Sequence, residues 1–138
     1  ESKDVSEKSI KGMHVLLAED NELNMEIAEF LLQNEGAEVT KARNGQEIVE
    51  LFRKSEAGEF DVILMDIMMP IINGYEAAKR IRSLDREDAK KIPIIAMTAN
   101  AFTEDRIRAK EAGMDEHVAK PIDVELLIKV IHKLVKHN

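Results

Sequence analysis

Four apolar runs, each leading straight into a chemically active residue, constrain this chain more than any other feature. MHVLLA precedes Glu19-Asp20, FDVILM precedes Asp66 and IIAM precedes Thr98, while the shorter, weaker EHVA leads into Lys120-Pro121. Apolar runs of this length, separated by helical stretches, read as buried parallel strands. Parallel strands point the same way, so their carboxyl ends share one edge of the sheet. Open α/β sheets bind ligands at that edge. Three acids, a hydroxyl and a lysine therefore converge there, which suits a divalent metal and a phosphoryl group.

The rest of the chain fits one α/β unit. Residues 1–12, ESKDVSEKSIKG, are polar and aperiodic and are expected to be a linker or frayed tail, with the domain spanning 13–138. Strands are expected at Met13–Ala18, Ala37–Ala42 (more polar, an edge), Phe60–Met65, after Pro93, and at Glu116–Ala119. The first helix starts near Asn21, a good N-cap, and stops at Gly36. Leu23, Ile27, Phe30 and Leu31 share its apolar face. Asn44-Gly45 turns into a second helix with Ile48, Val49, Leu51 and Phe52 as its apolar set. Further helices are expected at Tyr75–Leu84, Thr103–Ala112 and Val124–Lys136, the last with Leu127, Ile128, Ile131, Leu134 and Val135 inward. Five βα units with right-handed crossovers give a doubly wound sheet with helices on both faces.

Composition removes several classes. With 138 residues the chain has the usual size of one domain. It has no cysteine, which excludes disulfides and thiolate metal sites. The formal charge of −7 argues against a nucleic-acid face. No apolar stretch approaches a membrane span and no signal peptide precedes one. Glu rather than Met at position 1 points to a fragment of a longer chain. A cytoplasmic placing is expected from these absences together with the phosphate chemistry.

Each candidate residue has a functional and a plain reading. Glu19 and Asp20 are adjacent like charges, costly unless a cation compensates, and hard oxygens at a wet edge suit Mg²⁺. Acids decorating a helix N-terminus are the plain alternative; the third carboxylate, Asp66, tips the balance to metal. Asp66 is a strand cap or a working group; beside Mg²⁺ its carboxylate can attack phosphorus to give an acyl phosphate. Thr98 and Lys120 can reach phosphoryl oxygens, or be a helix cap and a surface lysine. Pro121 restricts the lysine backbone to extended geometry.

This constellation resembles the receiver domain of two-component response regulators and hybrid sensor kinases. VLLAEDNELN, DVILMDIMMPIINGYEAAKRIR, PIIAMTANA and AGMDEHVAKPID carry the resemblance, from about Met13 to Leu134. It implies a flavodoxin-like, three-layer α/β/α fold with a five-stranded parallel sheet of order 2-1-3-4-5. It implies that Asp66 is the phosphoacceptor, with Asp20, Asp66 and the Met68 backbone carbonyl as Mg²⁺ ligands and Glu19 acting through water. Thr98 matches the switch hydroxyl, Lys120 the phosphate-binding lysine, and Ala99 the small residue that leaves room for the phosphoryl group. The lifetime of the phosphorylated state depends on details around Met68 and Asn100. The wording of the motifs is most like receivers of hybrid histidine kinases.

The implied activity is phosphoryl transfer from phosphohistidine to Asp66, with the chain switching the surface of its helix at Thr103–Ala112, its fifth strand and its last helix. It is a phosphoacceptor rather than a stand-alone enzyme. The expected partners are a histidine kinase or a histidine phosphotransfer domain docking near the first helix, where Leu23, Asn24 and Ile27 are contact candidates or, for Leu23 and Ile27, core. The switch surface could support a phosphorylation-driven dimer, or none. One departure stands out: His117 occupies the position three before the lysine where the family usually has Tyr or Phe. It is either a switch residue with altered coupling or an ordinary strand residue. His14, His132 and His137 have no metal-ligand spacing.

Other classes fit less well. A Mg²⁺-dependent aspartyl phosphatase needs a second Asp two residues after the first, and Met68 stands there. A dinucleotide-binding domain needs a glycine-rich turn after the first strand, where this chain has AEDNELN. A pseudo-receiver that serves only as a protein-binding scaffold would normally have lost an acid, the threonine or the lysine, and all are present.

Overall fold

The computed structural model describes residues 10–99 and 103–136. Asn100 and His137 lie outside the described residues. In chain order the elements are β1 (His14–Ala18), α1 (Glu22–Asn34), β2 (Glu38–Ala42), α2 (Gly45–Lys54), β3 (Val62–Asp66), α3 (Gly74–Arg82), α4 (Glu87–Lys91), β4 (Ile94–Thr98), α5 (Thr103–Glu111), β5 (Glu116–Ala119) and α6 (Val124–Lys136). The strands form one parallel sheet in the order β2-β1-β3-β4-β5. This is the expected doubly wound architecture, and β2 is an edge strand as its polarity predicts. Asn21, Asn44 and Asn73 each cap a helix, accepting from the backbone N–H three residues on at 2.9, 2.7 and 2.9 Å.

The alternation of strand side chains sorts the core into two layers. Leu16, Ile63, Met65 and Ile94 pack with Ile48 and Phe52 of α2 and Ile81 of α3. Val15, Leu17, Leu64 and Ile95 pack with Met25 and Leu32 of α1 and Leu127 and Ile131 of α6. β3 and β4 are buried along their whole length, as central strands covered on both faces must be.

Three expectations change. The tail expected over 1–12 ends earlier: Ile10 is fully buried in the α1–α6 layer, and Gly12 N–H donates to Gly36 O at 2.9 Å. Residues 1–9 lie outside the described residues.

The second change concerns α1, whose inward face is Met25, Ala28 and Leu32, whereas Leu23, Ile27 and Phe30 are exposed. The helix carries apolar residues on two sides, and the small Ala28 lets the other side approach the sheet. Leu31, half-buried, lies at the boundary.

Third, a short helix, α4, precedes β4. Its sequence EDAKK has no apolar periodicity, and a long-range contact brings it in. Arg86, its N-cap, donates to Phe52 O at 2.8 Å and Ser55 O at 2.9 Å and pairs with Asp88 at 2.7 Å.

Candidate functional site

β1 and β3 are neighbours in register, with Ala18 opposite Met65, so Glu19, Asp20 and Asp66 leave adjacent strand ends together. Their ligand oxygens lie within 4.8 Å of one another. Glu19 and Asp66 are buried and Asp20 is exposed. β4 brings Thr98 to the same edge, buried, and Lys120 N–H donates to Thr98 O at 2.9 Å across to β5. Thr98 is the last residue of β4, and α5 starts only at Thr103. The helix-cap alternative for Thr98 is thereby removed.

Lys120 ties the edge together. Its Nζ lies 3.0 Å from Asp66 Oδ2 and 3.4 Å from Glu19 Oε1, so the surface-lysine alternative does not hold. The Lys120–Pro121 bond is cis. Met68 N–H donates to the other Asp66 oxygen, Oδ1, at 3.2 Å, and Asn21 N–H donates to Glu19 Oε2 at 3.0 Å. Glycine at 74 lets α3 start hard against this strand end: a Cβ there would stand 2.5 Å from Asp66 O and 2.9 Å from Ile67 Cα.

The electrostatics are unbalanced. Burial raises the Glu19 carboxyl above its ordinary value, and neighbouring Asp66 adds to the rise against the pull of the Asn21 N–H and Lys120. Burial works against the Lys120 ammonium as well, but Asp66 and then Glu19 outweigh it and hold its pKa above the usual lysine range. The Lys120 ammonium contacts the two buried carboxylates, and the exposed Asp20 carboxylate lies beside them. Such a set of hard oxygens with a net negative charge fits a divalent cation of the Mg²⁺ type, which accepts few protein ligands and retains water.

Residues 15–132 match the family described as the response regulator receiver domain. The chain belongs to that family. Among curated relatives it is 37% identical over 131 residues to hybrid signal transduction histidine kinase I of Dictyostelium discoideum, covering 94% of this chain and 8% of the relative. This receiver spans 5–14% of the length of the histidine kinases it matches. The receiver domain of a sensor histidine kinase from Pseudomonas aeruginosa, solved with magnesium coordinated in its active-site cleft, superposes with a TM-score of 0.81 at 34% identity, over 91% of this chain and 98% of that one. The receiver of the Saccharomyces cerevisiae regulator Ssk1, solved with the histidine phosphotransfer protein Ypd1, gives 0.79 at 29% identity, over 91% and 90%. The chain is thus a two-component receiver domain related to those of hybrid kinases.

Two site residues look different in three dimensions than in sequence. His117 is half-buried on edge strand β5, its Nδ1 4.0 Å from Glu116 Oε1, beside a polar hollow of about 180 Å³ that Arg106 and Lys110 also line. Met68 is 76% exposed while Met69 is buried, so of the methionine pair only Met69 packs inward. The sequence reading did not single out Ile71, in the loop after Asp66, where the backbone takes a left-handed φ of 73°. Nothing in the local sequence announces it, since glycine, asparagine or aspartate usually fills such a position.

Proposed function

We propose that this receiver domain is phosphorylated on Asp66 by a phosphohistidine donor, with Mg²⁺ held by Asp20, Asp66 and the Met68 carbonyl and contacted through water by Glu19. The Lys120 bridge to Asp66 and Glu19 supports the reading, because it holds a cation beside a buried carboxylate, as binding of incoming phosphoryl oxygens there would require. An Asp66 oxygen forms the new O–P bond as the P–N bond to the donor imidazole breaks, the electron pair leaving on that nitrogen. Lys120 and the Thr98 hydroxyl hold the phosphoryl oxygens, and the Met68 N–H positions the carboxylate. When bound, Mg²⁺ neutralises charge on the carboxylate and the incoming group. Thr98 moving toward the phosphoryl group, with His117 following, then reshapes the α5–β5–α6 surface.

The domain acts as a phosphoacceptor within a phosphorelay, in the cytoplasm, as part of a hybrid sensor histidine kinase. Its partner is a histidine kinase or histidine phosphotransfer domain that covers the acidic edge and the exposed stripe Leu23, Ile27 and Phe30 of α1. Two observations favour this: the carboxylate cluster and the solved Ypd1 complex of a similar receiver. Among the described residues no helix is long and apolar enough to cross a membrane.

Intact mass after incubation with phosphoramidate tests the reading. A gain of one phosphoryl group that needs Mg²⁺ and is lost in Asp66→Asn is expected. No gain in the wild type while Mg²⁺ binds would sink it and favour a protein-binding scaffold.

A further inference from the structure

Readily oxidised sulfur is confined to one place on this molecule. The chain has seven methionines and no cysteine. Met25, Met65, Met69, Met97 and Met114 are buried, and Met13 is half-buried against the α1–α6 layer. Met68 alone stands in solvent, 76% exposed. Its backbone, by contrast, is fixed. Met68 N–H donates to Asp66 Oδ1 at 3.2 Å, Ile67 and Met69 on either side are buried, Ile72 packs against the core, and Gly74 N–H donates to Ile67 O at 2.8 Å. The thioether is therefore held at the wet edge, two residues from Asp66, with no route into the core. Methionine reacts with peroxides according to its exposure, so the fold presents one sulfur to such an oxidant and presents it beside the acceptor.

Resting on the phosphoacceptor reading above, we propose that Met68 is an oxidative modification site whose sulfoxide shortens the life of the Asp66 acyl phosphate. The sulfur gives an electron pair to one oxygen of hydrogen peroxide. An S–O bond forms, the O–O bond breaks, and the other oxygen leaves as water; sulfur is oxidised and the peroxide reduced. A flexible apolar side chain with a weak acceptor becomes one with a strongly polar oxygen. That oxygen accepts a hydrogen bond from a water and holds it beside the acyl phosphate. The water oxygen bonds to phosphorus, and the bond to the Asp66 oxygen breaks with its electron pair returning to the carboxylate. The released proton passes to solvent. Sulfoxide reductases restore the thioether, which makes the modification reversible, and the more deeply covered sulfurs leave the core untouched while it happens.

The test treats the protein with dilute hydrogen peroxide, quenches with excess free methionine and maps oxidation by peptide fragmentation, which separates Met68 from adjacent Met69. The same samples are loaded from phosphoramidate with Mg²⁺, freed of donor, and followed by intact mass. Met68 should be converted first. The half-life of the phosphorylated protein should then fall about three- to tenfold, as one net hydrogen bond to the attacking water predicts. It should recover after treatment with the two epimer-specific methionine sulfoxide reductases. Met68→Leu, compared only with itself before and after peroxide, should keep one half-life. Conversion of Met13 or the buried methionines as fast as Met68 would overturn the modification site. An unchanged or longer half-life at full Met68 conversion would overturn the regulatory role, as would equal shortening in Met68→Leu. No phosphoryl gain in untreated wild type would overturn the phosphoacceptor reading and the regulatory role with it, whereas the peptide map judges the site independently.

Discussion

The Lys120 ammonium sits 3.0 Å from Asp66 Oδ2, although the two residues are 54 positions apart in the chain. It also reaches Glu19 Oε1 at 3.4 Å, so one cation serves two carboxylates that are 2–3% exposed. Breaking a buried ion pair by removing one partner strands the other charge, at about 3–5 kcal/mol. Lys120 is itself 22% exposed, and water screens part of that cost. In metal-free buffer Lys120→Met should lose about 2–3 kcal/mol of unfolding free energy in a urea titration. A loss under about 0.5 kcal/mol would show that solvent already neutralises the carboxylates.

Asp20 is exposed while its two neighbours are buried, which separates metal affinity from folding. Asp20→Asn should leave metal-free stability within about 0.5 kcal/mol of wild type. A cation that binds only the folded state stabilises it by about 2.7 kcal/mol at a hundred times its Kd. The wild type should therefore melt higher in millimolar Mg²⁺, and Asp20→Asn should lose most of that rise. Equal Mg²⁺ shifts in the two proteins would remove Asp20 from the ligand set.

The raised pKa of Glu19 has a definite sign. A carboxyl whose folded pKa lies above its ordinary 4.5 favours the fold when protonated, so its contribution is fully present below 4.5 and is lost as pH climbs through the folded value. Above that window the metal-free protein bears the whole cost of a buried carboxylate. Glu19→Gln never ionises. Its stability relative to wild type should rise with pH across that window and then level off, and saturating Mg²⁺ should shrink the difference. Lys120 follows the same sign in a different window: its pKa is held above 10.5, so its contribution is fully present at neutral pH and is lost only as pH climbs through the folded value in strong base. A difference between Glu19→Gln and wild type that stays flat with pH would contradict the burial of this group.

How far the sequence could be read depended on whether one interaction or several decided each outcome. β3 and β4 are legible because a buried parallel strand must be apolar throughout, and a charged residue at its end has one place to go. That rule alone brings Glu19, Asp66, Thr98 and Lys120 to a common edge. The inward side of α1 is not legible, because Leu23, Ile27, Phe30 and Leu31 form as good a stripe as Met25, Ala28 and Leu32, and only contact with β1 and α6 decides between them. α4 is invisible for a related reason: EDAKK owes its helix to Arg86, whose guanidinium satisfies carbonyls of Phe52 and Ser55 more than 30 positions away. The left-handed backbone at Ile71 is fixed by its anchored neighbours rather than by isoleucine itself.

The phase of α1 yields a direct check. Leu32 is 1% exposed and Phe30 is 66% exposed, two positions apart on one helix. Leu32→Ala should cost about 2–5 kcal/mol, the transfer of its methyl groups plus the cavity left behind. Phe30→Ser should change stability by less than about 0.5 kcal/mol while weakening capture by a phosphotransfer partner. Chemical denaturation of both variants decides the matter: a large loss for Phe30→Ser with little for Leu32→Ala would mean that the first stripe faces the core after all.

Gly74 links the fold to the chemistry most tightly. Its N–H donates to Ile67 O at 2.8 Å, and its Cα passes so close to the end of β3 that a Cβ would stand 2.5 Å from Asp66 O and 2.9 Å from Ile67 Cα. Both are backbone atoms, one of the last residue of the fully buried strand β3 and one of the buried residue that follows it, and neither can yield as a flexible side chain would. Gly74→Ala must therefore push α3 outward or shift the Asp66 peptide. Its φ is not left-handed, so alanine's better helix propensity would otherwise stabilise the first turn of α3 by up to about 1 kcal/mol. The two effects oppose each other, and overlap with backbone should win, for a net loss of about 1–3 kcal/mol. The loss should come with slower phosphorylation by phosphoramidate, because the Asp66 carboxylate is aimed by the same backbone. Comparing Gly74→Ala with an alanine at exposed Lys79 in the same helix separates the clash from propensity. A Gly74→Ala protein as stable and as readily phosphorylated as wild type would show that α3 can slide away from β3 at no cost.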